Sequence, residues 1–355
     1  MLRARGPLLA FARLHSAKLV VFGVLVALIA LLSYSDVARW GPSFKPAADS
    51  YVDSLRSLGV LSARRALELA AVNALRLREQ RLSRRPSRIT LPDASLDDVP
   101  SGQPRPGTRW SDTHEKYVKE VADMNSRRGE FPEVIFYGDS ITELWRATSV
   151  SHVEKSYEAV PAIFERLFGR WHSTTLAISG DQTSHLLWRL RNGEIPSAAS
   201  PKAVVVHIGT NDLTMHASQS ARAQTGTALQ RRAAVAEKAP LVVQGVRHVA
   251  TVLKRRMPSA AVLLSMILPR GTHYNKTGGD LAQPGLYSDA IKAVNLGLVD
   301  LASSMGLHTV DCGPLFLTAD GNLNQTLMTD GLHPSPMGYE KWGQCHFKAL
   351  EDLLA

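Results

Sequence analysis

The stretch Glu133–Ile141, with the sequence EVIFYGDSI, decides the fold of this chain. Its apolar part, Val134–Tyr137, is a short run of β-favouring residues, which is typical of a strand buried on both faces. Gly138 permits a sharp turn after that strand. Ser140 then lies where the chain leaves the sheet, and open α/β sheets bind their ligands at that edge. The pattern predicts either an exposed, reactive serine or a serine that caps the following helix.

Apolar runs alternate with helical patterns from this stretch to the end of the chain, which predicts an α/β domain with helices on both faces of a parallel sheet. The predicted strands are Val134–Tyr137, Thr174–Ile178, Ala203–Ile208, Ala260–Ile267 and His308–Asp311. The predicted helices lie around Val160–Phe168, Ser184–Arg191, Leu241–Arg256, Asp289–Ser304 and Pro336–Leu354. The stretch Leu213–Ala239 is predicted to be an inserted excursion, either helical or loose.

The net charge of +9 belongs to the first part of the chain. Residues 1–35 carry four basic side chains and no acid, and residues 36–110 carry thirteen basic against eight acidic side chains. Residues 111–355 carry twenty-four of each, so this part is neutral. Because phosphate contacts require a basic surface, we do not expect the neutral part to bind nucleic acid.

An uncharged segment of seventeen residues, 19–35, follows a basic segment at residues 1–18. Its length is at the short end of the roughly 17–25 residues that cross a bilayer. We expect a transmembrane signal anchor, which would make the chain a type II single-pass membrane protein facing the lumen of the ER or Golgi. A cleaved signal peptide and a mitochondrial presequence, the latter placing the chain at a mitochondrial membrane, are the alternatives.

A stalk and a linker are predicted between this segment and the α/β domain. Residues 36–85 combine helical periodicity with many arginines, which predicts a basic helical stalk exposed to solvent. A stalk helix that self-associates, giving a homodimer, or that lies on anionic lipid is the alternative. Residues 86–110 contain five prolines with glycines and short polar residues, which predicts a linker before a domain at residues 111–355.

Cys312 and Cys345 are too few for a disulfide scaffold or a zinc site. They would pair in an oxidising compartment or remain as two buried thiols. Asn275 and Asn324 begin the sequons NKT and NQT in predicted loops, where a lumenal chain could carry glycans. The histidines show no metal-ligand spacing and the chain has no phosphate-binding glycine loop, so we expect no metal and no cofactor.

A second motif, DGLH at Asp330–His333, lies near the C-terminus. An aspartate three residues before a histidine on one tight loop can hold the imidazole in a fixed tautomer. The histidine can then take a proton from a serine such as Ser140. A lone DxxH could also be a loop stabilised by its own side chains, and its pairing with Gly-Asp-Ser after a strand favours chemistry. We therefore predict Ser140, Asp330 and His333 as catalytic residues.

Two more polar motifs end predicted strands at the same sheet edge, ISGD at 178–181 and IGTND at 208–212. Acyl transfer needs donors aimed at the oxyanion of the tetrahedral intermediate. The backbone N–H groups of Ser140 and Gly180 and the side-chain amide of Asn211 would supply three such donors. The alternative for Asn211 is a simple turn residue.

The order of these motifs resembles that of the SGNH, or GDSL-type, esterases and lipases. The resemblance is closest to the catalytic α-subunits of intracellular platelet-activating-factor acetylhydrolase, and it covers the chain from about residue 131 to the C-terminus. The stretches that carry this closer likeness are Gly180-Asp181, LWRLRNGE at 187–194 and LPRG at 268–271. The resemblance implies a flavodoxin-like three-layer α/β/α sandwich with a parallel sheet, metal-free ester hydrolysis, and catalytic roles for Ser140, Asp330 and His333.

Ile141, Thr210 and Leu332 are candidates for the acyl pocket, because each is adjacent to a predicted catalytic or oxyanion residue. β-Branched and leucyl walls close to the nucleophile leave little room, which favours a small acyl group, acetyl first. The sequence thus predicts a membrane-tethered serine esterase acting on small-acyl esters of a lipid or an O-acetylated glycan. An acyltransferase using the same acyl-enzyme is the second enzymatic candidate. A non-catalytic anchored subunit that keeps the fold is the candidate from another class.

Overall fold

The centre of the domain is a five-stranded parallel sheet in a computed structural model that describes residues 99–126, 131–275 and 278–355. Its strands are β1 Val134–Gly138, β2 Thr174–Ala177, β3 Ala203–His207, β4 Ala261–Ser265 and β5 His308–Val310. They lie in the order β2-β1-β3-β4-β5, and every neighbouring pair is parallel. This order is that of flavodoxin-like sheets. The predicted α/β fold with a parallel central sheet is confirmed.

Helices cover this sheet and connect its strands. Those of the described residues are α1 Thr108–Ser126, α2 Ser140–Glu143, α3 Val160–Phe168, α4 Thr183–Arg191, α5 Thr210–Gln219, α6 Ala221–Thr225, α7 Ala228–Ala236, α8 Ala239–Arg256, α9 Ser288–Met305 and α10 Pro336–Leu354. The predicted strands and helices agree with these bounds to within two residues. The predicted excursion after β3 is helical, and its Leu213 and Val235 side chains are buried.

Side chains of each strand alternate between two apolar cores, one on each face of the sheet. On one face Ile135 and Tyr137 of β1 belong to a core with residues of α1, α4, α8 and α9. On the other face Val134 and Phe136 belong to a core with residues of α3 and α10. Successive side chains of a strand point to opposite faces, so β1 supplies both cores and is buried throughout. The result is three layers of helix, sheet and helix.

Arg189 of α4 is a fully buried cation beneath the ends of two strands. Its Nε donates to Asp181 Oδ2 at 2.7 Å, and its Nη1 donates to the carboxylate of Glu194. Its Nη2 donates to the carbonyl of Gly138 at 3.2 Å, and its Nη1 donates to that of Leu176 at 3.4 Å. Since an arginine stays charged when buried, two carboxylates and two strand carbonyls are held around one positive group.

The predicted basic segment 1–18, signal anchor 19–35 and stalk 36–85 lie outside the described residues. Within the part of the chain that the structure describes, no helix is long and apolar enough to cross a membrane. Residues 99–107 of the predicted linker 86–110 pack on the domain, although their prolines and glycines are typical of a free segment. Val99 is buried, and the N–H of Gln103 donates to the carbonyl of Ser184 at 3.2 Å. Packed chain therefore precedes residue 111.

Cys312 and Cys345 form a disulfide between the end of β5 and α10, with their Cα atoms 6.0 Å apart. Of the two alternatives for these cysteines, a disulfide or two buried thiols, the structure shows the disulfide. Asn324 lies in the loop before α10, where its side-chain oxygen accepts the N–H of Thr326 at 3.0 Å. The sequon at Asn275 extends into residues 276–277, which lie outside the described part of the chain.

Candidate active site

Ser140, His333 and Asp330 form a hydrogen-bonded chain at the carboxyl edge of the sheet. The Oγ of Ser140 lies 2.9 Å from Nε2 of His333, and Nδ1 of His333 lies 2.8 Å from Oδ2 of Asp330. The other carboxylate oxygen of Asp330 accepts the backbone N–H groups of Leu332 at 2.8 Å and His333 at 2.7 Å. The structure therefore brings together the three predicted catalytic residues. In this arrangement the imidazole can take a proton from the serine hydroxyl.

The turn that presents Ser140 depends on its two preceding residues. A Cβ at Gly138 would lie 2.5 Å from the carbonyl of His207, so only glycine lets β1 and β3 approach this closely. Asp139 is the N-cap of α2, and its Oδ1 accepts the N–H of Ile141 at 3.0 Å. The cap is therefore the aspartate, and the predicted alternative of Ser140 as the cap is wrong. The hydroxyl of Ser140 is left to His333.

The three predicted oxyanion donors follow neighbouring strands. Ser140 follows β1, Gly180 follows β2 and Asn211 follows β3, and β1 lies between the other two in the sheet. The Nδ2 of Asn211 donates one N–H to the carbonyl of Asp181 at 2.9 Å. A side-chain amide has two N–H groups, so this bond orients the Asn211 amide and leaves it a second donor. Gly180 has a φ of +85°, a conformation that favours glycine.

Glu143, in the first turn after Ser140, is a buried carboxylate that joins three parts of the site. Its Oε2 accepts the N–H and the hydroxyl of Ser179, each at 2.7 Å, and the N–H of Val150 at 2.9 Å. Its Oε1 accepts the N–H of Ser151 at 2.9 Å. Val150 and Ser151 form the turn of a short hairpin and have φ values of +48° and +61°, which residues other than glycine rarely adopt. The hydrogen bonds to Glu143 therefore stabilise a turn whose backbone conformation is unfavourable for these two residues. Sequence analysis missed this residue, whose only signal is its position three residues after the serine.

A cavity of about 280 Å³ opens beside Ser140 and His333. Most of its lining side chains carry hydroxyl groups; besides Ser140 these include Ser149, Ser156, Tyr157, Ser179, Tyr274 and Ser335. The ring of Tyr274 meets the His333 imidazole edge-to-face, with centroids 5.2 Å apart. Such a wall offers hydrogen bonds to a polar substrate and aromatic faces at its edge.

The candidates for the acyl pocket lie elsewhere. Ile141 is buried in the core shared with α3 and α10, because it leaves helix α2 on a different side from Ser140. The hydroxyl of Thr210 accepts from Nη1 of Arg270 at 3.0 Å. Leu332 is buried, and like the other two it is absent from the lining of the 280 Å³ cavity. A role in acyl recognition stays a prediction for all three.

Comparison with known proteins places this site in a family. Residues 136–341 match the GDSL-like lipase/acylhydrolase family, which is more than half of the 355 residues. The chain belongs to this family. The resemblance inferred from the motifs is thereby confirmed, and so is the prediction of an ester hydrolase. Within the described residues, no group of three or more His, Cys, Asp or Glu side chains could hold a metal ion.

The relatives of this hydrolase include acetylhydrolase subunits and bacterial lipases. The platelet-activating factor acetylhydrolase IB subunit alpha1 of Homo sapiens is 28% identical over 267 residues, covering 74% of this chain and 94% of that protein. The alpha2 subunit of Bos taurus is 28% identical over 233 residues, covering 66% and 80%. A crystal structure of a GDSL-like lipase from Bacteroides thetaiotaomicron has a TM-score of 0.47 and 20% identity, covering 67% of this chain and 97% of its own.

Two aspartates of the hydrolase site have opposite electrostatic character. Burial would raise the pKa of Asp330, but the hydrogen bonds and charge of His333 with the N–H of Leu332 outweigh it and hold that pKa below its usual value. Burial raises the pKa of Asp139 to about 8, and the one backbone N–H bond that its side chain accepts, from Ile141, lowers it by less. Asp139 is therefore protonated at neutral pH. Burial likewise lowers the pKa of His207 to about 3, so that histidine is a neutral core residue.

We expect Asp139→Asn to remove one falling contribution to the pH dependence of stability between about pH 6.5 and 8. The carboxyl of Asp139 keeps its proton up to about pH 8 when folded but loses it near pH 4 when unfolded. The folded state thus holds the extra proton, and this carboxyl makes the free energy of unfolding fall as pH rises, by at most about 1.4 kcal/mol per unit. The amide keeps the cap oxygen and has no proton to lose. Urea unfolding at several pH values measures this slope.

Asp181 and Asp212, whose pKa values burial raises to about 6, add a falling contribution at the lower end of this window. His207 and His346, whose pKa values burial lowers, add a rising one. Both contributions are shared by Asp139→Asn and the unmodified protein, so the difference between the two slopes reports Asp139. An exposed aspartate of α1, Asp123, supplies the matched control, and Asp123→Asn should keep the slope of the unmodified protein. Equal slopes for Asp139→Asn and the unmodified protein would mean that Asp139 is ionised in the fold.

Proposed function

We propose that this protein is a serine esterase that hydrolyses small-acyl esters, acetyl esters first, with Ser140 as nucleophile. The observation that carries the proposal is the chain of hydrogen bonds from Ser140 through His333 to Asp330. Asp330 holds the imidazole in the tautomer whose Nε2 accepts the serine proton. The hydrogen bond and charge of His333, together with the two backbone N–H bonds on its other oxygen, hold the pKa of this carboxylate below its usual value.

In the first half of the reaction, Oγ of Ser140 attacks the ester carbonyl while His333 takes its proton. The N–H groups of Ser140 and Gly180 and the amide of Asn211 stabilise the oxyanion that forms. When the intermediate collapses, the alcohol leaves with the proton from His333 and the acyl group stays on Ser140. Water, deprotonated by His333, then attacks the acyl-enzyme and releases the acid.

We expect Ser140→Ala to abolish turnover and labelling by a fluorophosphonate probe, which reacts with an activated serine. Asn211→Ala should lower kcat by about 10²–10³, since it removes one oxyanion donor. Ser259→Ala, at an exposed serine before β4, is the matched control and should keep full activity. Full activity of Ser140→Ala would contradict the assignment of Ser140 as the nucleophile.

The dimensions and lining of the cavity support a small acyl group on a polar alcohol. About 280 Å³ is at the lower limit of the roughly 300–1,000 Å³ typical of small-molecule pockets. An alkyl chain would offer no hydrogen bond to the hydroxyl groups of this lining, whereas the hydroxyls of a carbohydrate would. We therefore favour an O-acetylated glycan over a lipid. The curated relatives are named as acetylhydrolases, which also supports acetyl.

A panel of esters separates these choices. We expect p-nitrophenyl acetate to be hydrolysed faster than p-nitrophenyl octanoate, and an acetylated sugar faster than an acetylated phospholipid. Faster turnover of the long-chain ester would contradict a small-acyl site. If instead an added acceptor sugar becomes acetylated and the yield of free acetate falls, the enzyme is an acyltransferase, the second enzymatic candidate from the sequence.

We also propose that the hydrolase is tethered in the secretory pathway by the uncharged segment 19–35. The disulfide Cys312–Cys345 supports this placement, because disulfides persist in oxidising compartments and are rare in the cytosol. The half-buried Asn324 heads a sequon in a loop on the same domain. Homodimer formation through the stalk remains a prediction from the sequence.

We expect the protein expressed in animal cells to stay with the membrane fraction after carbonate washing, because a bilayer-spanning helix resists extraction. A glycan-removing enzyme should increase its electrophoretic mobility, and Asn275→Gln with Asn324→Gln should remove that shift. Release by carbonate with no mobility shift would contradict lumenal tethering.

A further inference from the structure

The peptide group between Ser179 and Gly180 has two polar ends, and only one of them faces the proposed oxyanion. Its N–H belongs to Gly180 and is a proposed oxyanion donor, while its carbonyl belongs to Ser179. A trans peptide is planar, so this N–H and this carbonyl point in opposite directions. Whatever binds the carbonyl of Ser179 therefore sets the direction of the Gly180 N–H.

Arg105 binds that carbonyl. Its Nη1 donates to the oxygen of Ser179, from a position 74 residues earlier in the chain. Its guanidinium also lies against Gly180, since a Cβ built there would be 2.9 Å from Cζ and 3.0 Å from Nη2 of Arg105. Any side chain at residue 180 would displace this contact, which is a second reason for glycine besides its positive φ.

The segment that carries Arg105, residues 99–107, is held against α4 on both sides of a tight turn. Nη1 of Arg191 donates to the carbonyls of Val99 at 2.6 Å and Pro100 at 2.7 Å. Gly102 has a φ of +75°, and a Cβ there would lie 2.5 Å from the carbonyl of Ser184, so its backbone touches α4 directly. These contacts fix where the half-buried side chain of Arg105 can reach.

The guanidinium of Arg105 is not paired with a carboxylate of the described residues. Within the residues that the structure describes, it forms no ion pair, and it donates to the neutral carbonyl of Ser179. The opposite side of the same loop is fixed by Glu143, which accepts the N–H of Ser179 at 2.7 Å. Two consecutive peptide groups are thus held by a cation on one side and an anion on the other.

We propose that Arg105 is a positioning residue of the oxyanion hole. A charged donor on a carbonyl polarises the whole peptide group, which makes the Gly180 N–H a stronger donor and fixes its direction. This inference rests on the proposed function of Gly180. Arg105 lies outside residues 136–341, the region that matches the family.

The test is kinetic, on the full-length protein with p-nitrophenyl acetate. We expect Arg105→Ala to lower kcat about tenfold with little change in KM, which is less than the 10²–10³ for complete loss of an oxyanion donor. Arg105→Lys, which keeps a charged donor, should restore most of kcat, and Arg105→Gln should restore less. Millimolar guanidinium ion should raise the kcat of Arg105→Ala. Arg256→Ala, an exposed arginine at the end of α8, is the matched control and should behave as the unmodified protein.

The outcomes separate this inference from the proposed function. Unchanged kcat in Arg105→Ala, with Ser140→Ala inactive, would overturn the role of Arg105 and leave the esterase assignment standing. A rise in KM with kcat unchanged would also overturn it, because that pattern means loss of ordinary substrate binding. If thermal unfolding shows that Arg105→Ala is not folded, the Lys and Gln variants decide, and equal kcat in both would count against the proposal.

Discussion

The ion cluster around Arg189 is the interaction on which the geometry of this active site depends. One buried guanidinium binds the carbonyls of Gly138 and Leu176 in β1 and β2 and also the carboxylate of Asp181. The backbone of Asp181 in turn accepts the amide of Asn211. The ends of three neighbouring strands, each followed by a proposed oxyanion donor, are therefore connected through hydrogen bonds to a single cation. Because a buried charge is costly without its partners, the cluster forms as a whole, which favours one arrangement of these loops.

Helix α1, which precedes the region shared with the family, completes this cluster. The indole N–H of Trp110 donates to the second oxygen of Asp181 at 2.7 Å. Nδ1 of His114 lies 2.7 Å from the carboxylate of Glu194, the other anion around the guanidinium. The chain before β1 is consequently part of the support of the site. The contact of Arg105 with the carbonyl of Ser179 extends the same support to the loop after β2.

The features that sequence analysis predicted are those with a local signal. Strand β1 is a run of β-favouring residues between turn residues, and DGLH places its aspartate and histidine on one loop. The roles of Glu143 and Arg105 have no such signal, because they depend on peptide groups 36 and 74 residues away. Prolines made residues 99–107 resemble a linker, since composition records backbone preference and not the burial of Val99. Adjacency in sequence likewise does not decide which side chains share a surface, because Ile141 is buried in the core while its neighbour Ser140 leaves the helix on another side.

The two aspartates nearest the nucleophile show how the fold distributes charge for ester cleavage. Asp330 accepts two backbone N–H bonds and the imidazole of His333, so its pKa is low and it stays ionised where an imidazolium must form. Asp139 accepts one N–H bond in a dry environment, so burial raises its pKa to about 8 and it stays neutral. An ionised carboxylate at residue 139 would repel the oxyanion that the proposed mechanism forms at Ser140. Burial therefore leaves the carboxyl that precedes Ser140 in the chain uncharged.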